Sequence, residues 1–169
     1  MSKILIRKAT IADLPALTTI YNQAIQARQT ADTVPMSVSD RTPWFEAHQN
    51  PKYPLFVATQ ATAILGYATL SQYRGGRPAL RYAVEVSYYI HKDRQRKGTG
   101  SLLLSYALQV AKELDFRHAI AILLDTNLPS ISLLEKFGFE RWGHLPNIAE
   151  IDGQTCGHLY YGKGLIRIM

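Results

Sequence analysis

The chain has 169 residues, of which 47% are hydrophobic, and a formal net charge of +6 at pH 7. This length suits one well-filled core and is short for two, so we expect a single domain over residues 1–169. No segment approaches the ~20 apolar residues of a membrane-spanning helix, and the first residues lack the apolar stretch of a secretory signal. We therefore expect a soluble, cytoplasmic protein with no membrane partner.

The first half of the chain predicts one strand, two helices and three further strands. Residues 3–8 form a short strand, and Thr10 or Asp13 caps a helix that fades near Arg28. Polar and turn-forming residues predict a loop over 29–40. The remaining predictions are a short helix over 42–49 and strands over 55–59, 64–73 and 82–90, which form an antiparallel meander.

The second half begins with the clearest helical pattern of the chain, over residues 99–114, where apolar side chains recur on one stripe. A buried strand over 119–124 and a third helix over 129–137, ended by Gly138, come next. Two final strands are predicted over 139–150 and 155–164.

Cysteine, histidine and basic residues limit the possible ligands. The single cysteine, Cys156, cannot form an internal disulfide, and no Cys/His cluster has metal-ligand spacing, so we expect no metal. Lysine and arginine are spread along the chain, and their only tight cluster lies in residues 92–97. A local patch favours a small polyphosphate ligand, whereas a nucleic-acid partner would call for a continuous basic face.

The most informative segment runs from Arg94 to Gly100 with the sequence RQRKGTG, between an apolar strand and the long helix. Glycine lets the backbone turn tightly, so that consecutive amide groups and the positive end of the helix face one anion. The basic side chains add charge of the sign that a pyrophosphate attracts. The segment therefore predicts a phosphate-binding loop.

Two motifs make the chain resemble the GNAT family of N-acetyltransferases. The first is Gln95-x-x-Gly98-x-Gly100, and the second, downstream, combines Asn127-x-x-Ser130 with a late Gly138-Phe139 pair. The order of elements matches that family over nearly the whole chain. Within it, Ile6-Arg7-x-Ala9-Thr10-x-x-Asp13, Tyr21-Asn22 and Val84-Glu85 are similar to the phosphinothricin and methionine sulfoximine acetyltransferase branch.

The resemblance implies an α/β (α+β) GNAT fold, a mostly antiparallel sheet of about seven strands flanked by about four helices, and acetyl-CoA as co-substrate. It also implies where the cofactor binds: amides of the loop hold the pyrophosphate, the edge of the preceding strand holds the pantetheine arm, and the downstream motif contacts the lower part of the cofactor. The residues implied are Val86, Tyr88, Tyr89, Ile90, Gln95, Arg96, Lys97, Gly98, Thr99, Gly100, Ser101, Asn127 and Ser130.

The implied reaction is attack of a neutral amine on a thioester, which calls for a group that removes a proton. Glu85 is the candidate general base, because it lies in an apolar strand and coincides with a glutamate used by the phosphinothricin branch. Alternatively, it faces solvent or pairs with Arg81. Strand alternation puts Arg81 and Glu85 on one face, so Arg81, or Arg74 in the preceding strand, would hold a substrate carboxylate. Both arginines could equally be solvated surface residues.

Two departures from the family leave the acceptor open. Leu134 stands where many members have a tyrosine and the phosphinothricin branch a histidine, and leucine cannot donate a proton to the leaving thiolate. Residues 151–156 lack the tryptophan and aspartate typical of that branch. The favoured acceptor is a small amine with a carboxylate, such as an amino acid or its analogue. A polyamine, an antibiotic, a protein N-terminus and a CoA sensor without catalysis stay open.

Relatives in this family often pair through their late strands, so a homodimer is expected as a possible assembly. Trp142, Tyr160 and Tyr161 would contribute to such a surface. The same aromatic residues could instead belong to the core, as aromatic residues in strands usually do.

Overall fold

A computed structural model describes residues 2–165, which form one seven-stranded sheet in the order β1-β2-β3-β4-β5-β7-β6. Neighbouring strands are antiparallel except β4 and β5, which pair in parallel. The mixed, mostly antiparallel sheet confirms the predicted fold. The strands are β1 Ile4–Lys8, β2 Leu55–Gln60, β3 Ala63–Gln72, β4 Ala83–Ile90, β5 His118–Leu124, β6 Glu140–Ile151 and β7 Gln154–Gly164.

Four α-helices flank the sheet: α1 Leu14–Gln26, α2 Val38–Ala47, α3 Thr99–Glu113 and α4 Leu128–Lys136. The expectation that the second helix spans 42–49 is wrong at its start. Ser37 caps α2, because its hydroxyl accepts a hydrogen bond from the Asp40 amide at 3.1 Å while the Asp40 carboxylate accepts one from the Ser37 amide at 2.8 Å. Pro43 lies inside this helix without ending it.

The core lies on both faces of the sheet, and alternate strand residues contribute to each. Val84 and Val86 of β4 are 0% and 2% exposed and pack with α3. Tyr67 of β3 and Tyr89 of β4 point to the opposite face, which α1 and α2 cover. Because both faces are covered, these strands read as nearly continuous apolar runs.

The end of α1 is fixed by its backbone. The amide of Arg28 bonds to the Ile25 carbonyl at 3.0 Å and the amide of Gln29 bonds to the Ala24 carbonyl at 2.9 Å. This pattern is a Schellman motif, and it places Arg28 at φ +55°, in the left-handed region. Within residues 2–165, no helix is long and apolar enough to span a membrane.

Candidate active site

A cleft opens where the parallel strands β4 and β5 separate. Their pairing runs from Ala83 with His118 to Glu85 with Ile120 and stops there. Beyond this point β5 stays paired with β7, and a cavity of about 400 Å³ lies between the ends of β4 and β5. Its walls include residues 86–90 of β4, residues 121–123 of β5 and the first turns of α3 and α4. The cleft thus exposes one edge of β4 to a ligand.

The predicted phosphate-binding loop lies at one end of this cleft. Gly98 has φ +83° and is the N-cap of α3, and no side chain caps this helix. The first internal bond of α3 joins the Leu102 amide to the Gly98 carbonyl at 3.1 Å, so the amides of the first turn have no helical partner. The positive end of α3 adds to the attraction for an anion. The backbone therefore fits a pyrophosphate.

Gly100 allows α3 to approach its neighbours closely. A Cβ atom at this position would lie 3.2 Å from Leu133 Cδ2 and 3.8 Å from Ile90 Cγ1. A methyl group here would be tight against the end of the Leu133 side chain, which would have to shift by a few tenths of an ångström. The second glycine of the motif thus sets the packing of the loop, whereas the first supplies its backbone conformation.

The structure gathers most of the predicted cofactor residues around this one cavity. Lys97 and Thr99 do not line it. The Lys97 ammonium donates to the Asp93 carbonyl at 3.1 Å, within its own loop, and Thr99 is buried. The predicted residues that do line the cavity are Val86, Tyr88, Tyr89, Ile90, Gln95, Arg96, Gly98, Gly100, Ser101, Asn127 and Ser130.

The first turn of α4 forms another wall of the cleft. The Asn127 side chain accepts a hydrogen bond from the Ser130 amide at 3.4 Å and so caps the helix. The Tyr88 hydroxyl lies 3.5 Å from the Ser130 carbonyl, and burial raises the pKa of Tyr88 to about 12. Leu134 is only 1% exposed and forms part of the cavity wall. Leu134, which stands where many members of the resembled family have a proton donor, is therefore a packing residue.

Glu85 lies in the last pair of the β4–β5 ladder, directly beside the opening. Since Val84 and Val86 pack toward α3, alternation turns the Glu85 side chain to the face that α1 and α2 cover. Partial burial raises the pKa of its carboxyl group. Among residues 2–165, its carboxylate has neither an ion-pair nor a hydrogen-bond partner.

The two predicted carboxylate-binding arginines lie in the connection between β3 and β4. The expectation that Arg81 shares a strand face with Glu85 is wrong, because Pro78–Leu80 form a 3-10 helix, Arg81 lies in the turn that follows it, and β4 begins only at Ala83. The Arg81 guanidinium donates to the Pro78 carbonyl at 3.0 Å and lies 4.5 Å from the Tyr82 ring centroid. Arg74 is exposed at φ +51°, and neither arginine lines the cleft.

Sequence reasoning missed Arg41 in α2, which lies on the same side of the sheet as Glu85. Arg41 is 3% exposed, and its guanidinium lies 4.1 Å from the Tyr21 ring centroid and 3.8 Å from that of Trp44. Its Nε has no hydrogen-bond partner among the described residues. The signal was the spacing of Arg41, Phe45 and His48, which lie on one helical face once α2 is seen to start at Val38.

Comparisons with known proteins agree with the family resemblance that the sequence motifs indicate. The family profile described as acetyltransferase (GNAT) domain matches residues 3–140. YwnH of Bacillus subtilis (strain 168) is 41% identical over 161 residues, which cover 95% of this chain and 98% of that protein. The L-methionine sulfoximine/L-methionine sulfone acetyltransferase of Pseudomonas paraeruginosa is 34% identical over 152 residues, covering 88% of this chain and 87% of that enzyme.

A solved structure with its cofactor has the same fold. The phosphinothricin acetyltransferase of Sinorhizobium meliloti, in complex with acetyl-CoA, superimposes with a TM-score of 0.90 at 30% identity, over 97% of this chain and 89% of that one. The fold, the loop and the cleft define an acyl-CoA-dependent acyltransferase. The chain belongs to the GNAT family and is an N-acetyltransferase that uses acetyl-CoA.

Proposed function

We propose that this enzyme acetylates the primary amine of a small acceptor that carries a carboxylate, an amino acid or an analogue such as phosphinothricin or methionine sulfoximine, with Glu85 as general base. The observation that carries the proposal is the position of Glu85 at the point where β4 and β5 separate. The names of the relatives from Pseudomonas paraeruginosa and Sinorhizobium meliloti support this acceptor class.

The cofactor half of the site consists of the loop and the edge of β4. Acetyl-CoA supplies the thioester carbonyl that the amine attacks and a thiolate as leaving group. Amides of Gly98, Thr99, Gly100 and Ser101 would hold the pyrophosphate, and Arg96 would add charge. Backbone groups of β4 beyond Glu85 would bind the pantetheine arm, since β5 no longer occupies that edge. These contacts would orient acetyl-CoA so that its thioester points toward Glu85.

The acceptor half depends on proton transfer to Glu85. An amine arrives largely protonated near neutral pH and must lose a proton before it can attack. A carboxylate accepts this proton more readily when its pKa lies closer to the working pH, and burial moves the pKa of Glu85 in that direction. Direct transfer from acetyl-CoA to the amine follows, because the site offers Glu85 as a base and Cys156 lies 9% exposed outside the main cleft.

Departure of the thiolate needs no side-chain acid at position 134. A thiol has a pKa of about 8.5, so its conjugate base is a fair leaving group near neutrality. Leu134 instead packs the wall of the cleft and helps to exclude water. The proposal therefore assigns catalysis to Glu85 and positioning to the loop.

Glu85→Gln tests the base directly, and Glu140→Gln, an exposed strand glutamate on β6, is the matched control. The rate of thiol release from acetyl-CoA with methionine sulfoximine as acceptor should fall by about 10²–10⁴-fold in the first variant and stay unchanged in the second. The acidic limb of the pH profile should also disappear. If Glu85→Gln and wild type released thiol at equal rates across the pH range, Glu85 would not be the general base.

A CoA sensor that does not catalyse transfer is the second candidate, and Leu134 is the observation that favours it. A sensor would bind acetyl-CoA and release no thiol with any amine. Saturable turnover with any acceptor would exclude a pure sensor.

The cytoplasmic location expected from the sequence stays a prediction. We also propose that the protein forms a homodimer. The strand β6 forms one edge of the sheet and carries Trp142 and Ile148, which are 51% and 59% exposed. Tyr161 is unsuitable for an interface because it is 4% exposed and its hydroxyl donates to Glu135 at 2.9 Å. Sedimentation of Trp142→Ser against wild type tests the assembly: loss of a dimer supports it, and a wild-type monomer contradicts it.

A further inference from the structure

Ser71 of β3 lies directly across the sheet from Glu85 of β4. The two residues are Cα partners in the antiparallel ladder, so their side chains project from the same face with Cβ atoms about 4.5–5.5 Å apart. Both residues are half-buried. Ser87 and Tyr89, which strand alternation puts on this face as well, line the cofactor cleft. The Ser71–Glu85 pair therefore continues the face along which the cleft opens.

The C-cap residue of α2, His48, contacts Ser71. Its Nδ1 lies 2.8 Å from the Trp44 carbonyl oxygen, and its Nε2 lies 3.0 Å from Ser71 Oγ. The Trp44 carbonyl belongs to the last turn of α2, where carbonyl groups lack helical donors, so the imidazole satisfies one of them. His48 is buried, and both of its ring nitrogens have a protein partner. The orientation of the ring is therefore fixed.

These contacts determine where the protons lie. A carbonyl oxygen can only accept a hydrogen bond, so Nδ1 of His48 carries a proton and donates it to Trp44. Burial, together with the nearby positive charge of Arg41, lowers the pKa of His48, which keeps the ring neutral at pH 7 and leaves Nε2 without a proton. The Ser71 hydroxyl then donates its proton to Nε2. Its oxygen retains only lone pairs for a ligand beside Glu85.

Two hydrogen-bond acceptors thus lie side by side on this face. Within the described part of the chain, the Glu85 carboxylate has no hydrogen-bond partner, although a serine hydroxyl lies directly across the ladder. The two do not bond because Ser71 gives its proton to His48. A primary ammonium group suits this arrangement, since it has three N–H donors and no acceptor. A nitrogen that bonds two oxygens at about 2.9 Å each spans a gap of about 5 Å, which matches a cross-strand pair.

We propose that Ser71 binds the acceptor's amine: its hydroxyl oxygen accepts a hydrogen bond from one N–H group while Glu85 removes a proton from the same nitrogen. His48 is a positioning residue, because it acts by holding the hydroxyl proton away from Glu85. The inference rests on the proposed acetyl transfer and names a further residue that contacts the amine.

The hydrogen that Ser71 binds is the one that the product keeps. The first N–H bond breaks as its proton passes to the Glu85 carboxylate, and the electron pair stays on nitrogen. That pair forms the bond to the thioester carbon, the C–S bond breaks, and the thiolate leaves with the sulfur electron pair. The nitrogen loses a second proton to the thiolate, which gives free thiol. The third hydrogen remains as the N–H of the amide, so the bond to Ser71 holds the nitrogen throughout.

Ser71→Ala tests the contact, and Ser71→Thr, which keeps a hydroxyl, is the rescue variant. With methionine sulfoximine as acceptor, kcat/KM should fall by about 10- to 100-fold in Ser71→Ala, the range of a hydrogen bond to a charged group, while KM for acetyl-CoA stays near wild type. Ser71→Thr should retain most of the activity. Thr59→Val, which removes a half-buried strand hydroxyl from β2, is the matched control and should change neither value. An unchanged kcat/KM in Ser71→Ala, or an equal loss in Ser71→Thr, would overturn the contact.

A double-mutant cycle tests the role of His48. His48→Phe frees the Ser71 proton to bond with Glu85, so kcat/KM should fall, and His48→Phe combined with Ser71→Ala should lose no more than Ser71→Ala alone. Losses that multiply would show that His48 acts independently of Ser71. NMR of the imidazole nitrogens in wild type needs no variant: a proton on Nδ1 and none on Nε2 supports the arrangement, and a proton on Nε2 at pH 7 overturns it.

The contact and the acetyl transfer fail separately. If wild type releases no thiol with any primary amine, the proposed acetyl transfer fails. Calorimetric titration of methionine sulfoximine into the CoA-loaded protein then decides the contact. Binding that weakens by about 10- to 100-fold in Ser71→Ala supports it, and binding that is absent from wild type or unchanged in the variant overturns it.

Discussion

Glu85 and Ile120 form the last pair of the parallel ladder between β4 and β5. One residue further, the strands separate and the cofactor cleft begins. The pair therefore ends the hydrogen bonding between β4 and β5, and in the proposed reaction it marks the place where the amine would meet the thioester. On its second side, Glu85 pairs with Ser71 of β3, whose hydroxyl lies 3.0 Å from Nε2 of the buried His48.

Replacing Glu85 by glutamine should stabilise the fold at neutral pH while it removes activity. Burial raises the pKa of this carboxyl above its ordinary value of 4.5, so the folded state favours the neutral form. The stability that neutral Glu85 contributes is complete below pH 4.5 and is lost as pH rises through the raised pKa. Glutamine stays neutral, so Glu85→Gln should melt at a higher temperature than wild type at pH 7–8 and at the same temperature near pH 4. A lower melting temperature at pH 7–8 would contradict this account.

Gly98→Ala should weaken acetyl-CoA binding specifically. A side chain at φ +83° costs about 1–2 kcal/mol, and relief of that strain would turn the amides of the first turn of α3 away from the pyrophosphate. Gly76→Ala is a matched control, since Gly76 also has positive φ and open space around its Cβ position but lies between β3 and β4. Both variants should lose similar stability, and only Gly98→Ala should raise KM for acetyl-CoA. An equal KM for acetyl-CoA in both variants would contradict the proposal that this loop binds the pyrophosphate.

The Arg7–Asp13 ion pair should stabilise the junction of β1 and α1. Arg7 Nη1 and Nη2 donate to the two Asp13 oxygens at 2.7 and 2.9 Å, and Asp13 is buried. Its hydrogen bonds with Arg7 hold the pKa of Asp13 below its ordinary value of 3.8, so the stabilisation is complete above pH 3.8 and is lost as pH falls through the lowered pKa. Asp13→Asn should lower the free energy of unfolding at pH 7 by about 1–2 kcal/mol, measured by urea denaturation, with a smaller difference at pH 3. An unchanged urea midpoint at pH 7 would argue against it.

His48 should be neutral in the folded protein at pH 7. Its Nδ1 donates to the Trp44 carbonyl at 2.8 Å and its Nε2 accepts from the Ser71 hydroxyl in the neutral tautomer. Burial lowers the pKa of His48 below 6.5, so its stabilising effect is present above pH 6.5 and is lost as pH falls through the lowered pKa. Titration of the ring by NMR should give a pKa below 6.5, and a value above 6.5 would contradict this account.

Much of the fold could be predicted because its signals are local. The buried strands are apolar runs bounded by turn residues, and the loop from Arg94 to Gly100 carries its function in its own backbone. The start of α2 was missed because the polar and turn-forming residues of 29–40 predicted a loop, whereas the capping box of Ser37 and Asp40 starts the helix one turn earlier. Arg81 was misplaced because the 3-10 turn after Pro78 breaks the strand alternation on which its position depended.

The parts of the site that depend on distant segments could not be predicted. The separation of β4 from β5 follows from the pairing of β5 with β7, which no local pattern encodes. The ion pair of Arg28 with Asp152 likewise joins residues that lie far apart in sequence and meet only because the end of α1 packs near the last hairpin. Spacing rules apply within one element and give no information on such contacts.

Release of free thiol from acetyl-CoA, measured against a panel of amino acids, their carboxamides and polyamines, tests the central claim most directly. We predict saturable turnover, with kcat/KM highest for carboxylated amines such as methionine sulfoximine and phosphinothricin and about 10²–10⁴-fold lower in Glu85→Gln. Binding of acetyl-CoA without thiol release for any amine, or turnover of polyamines alone, would contradict the account.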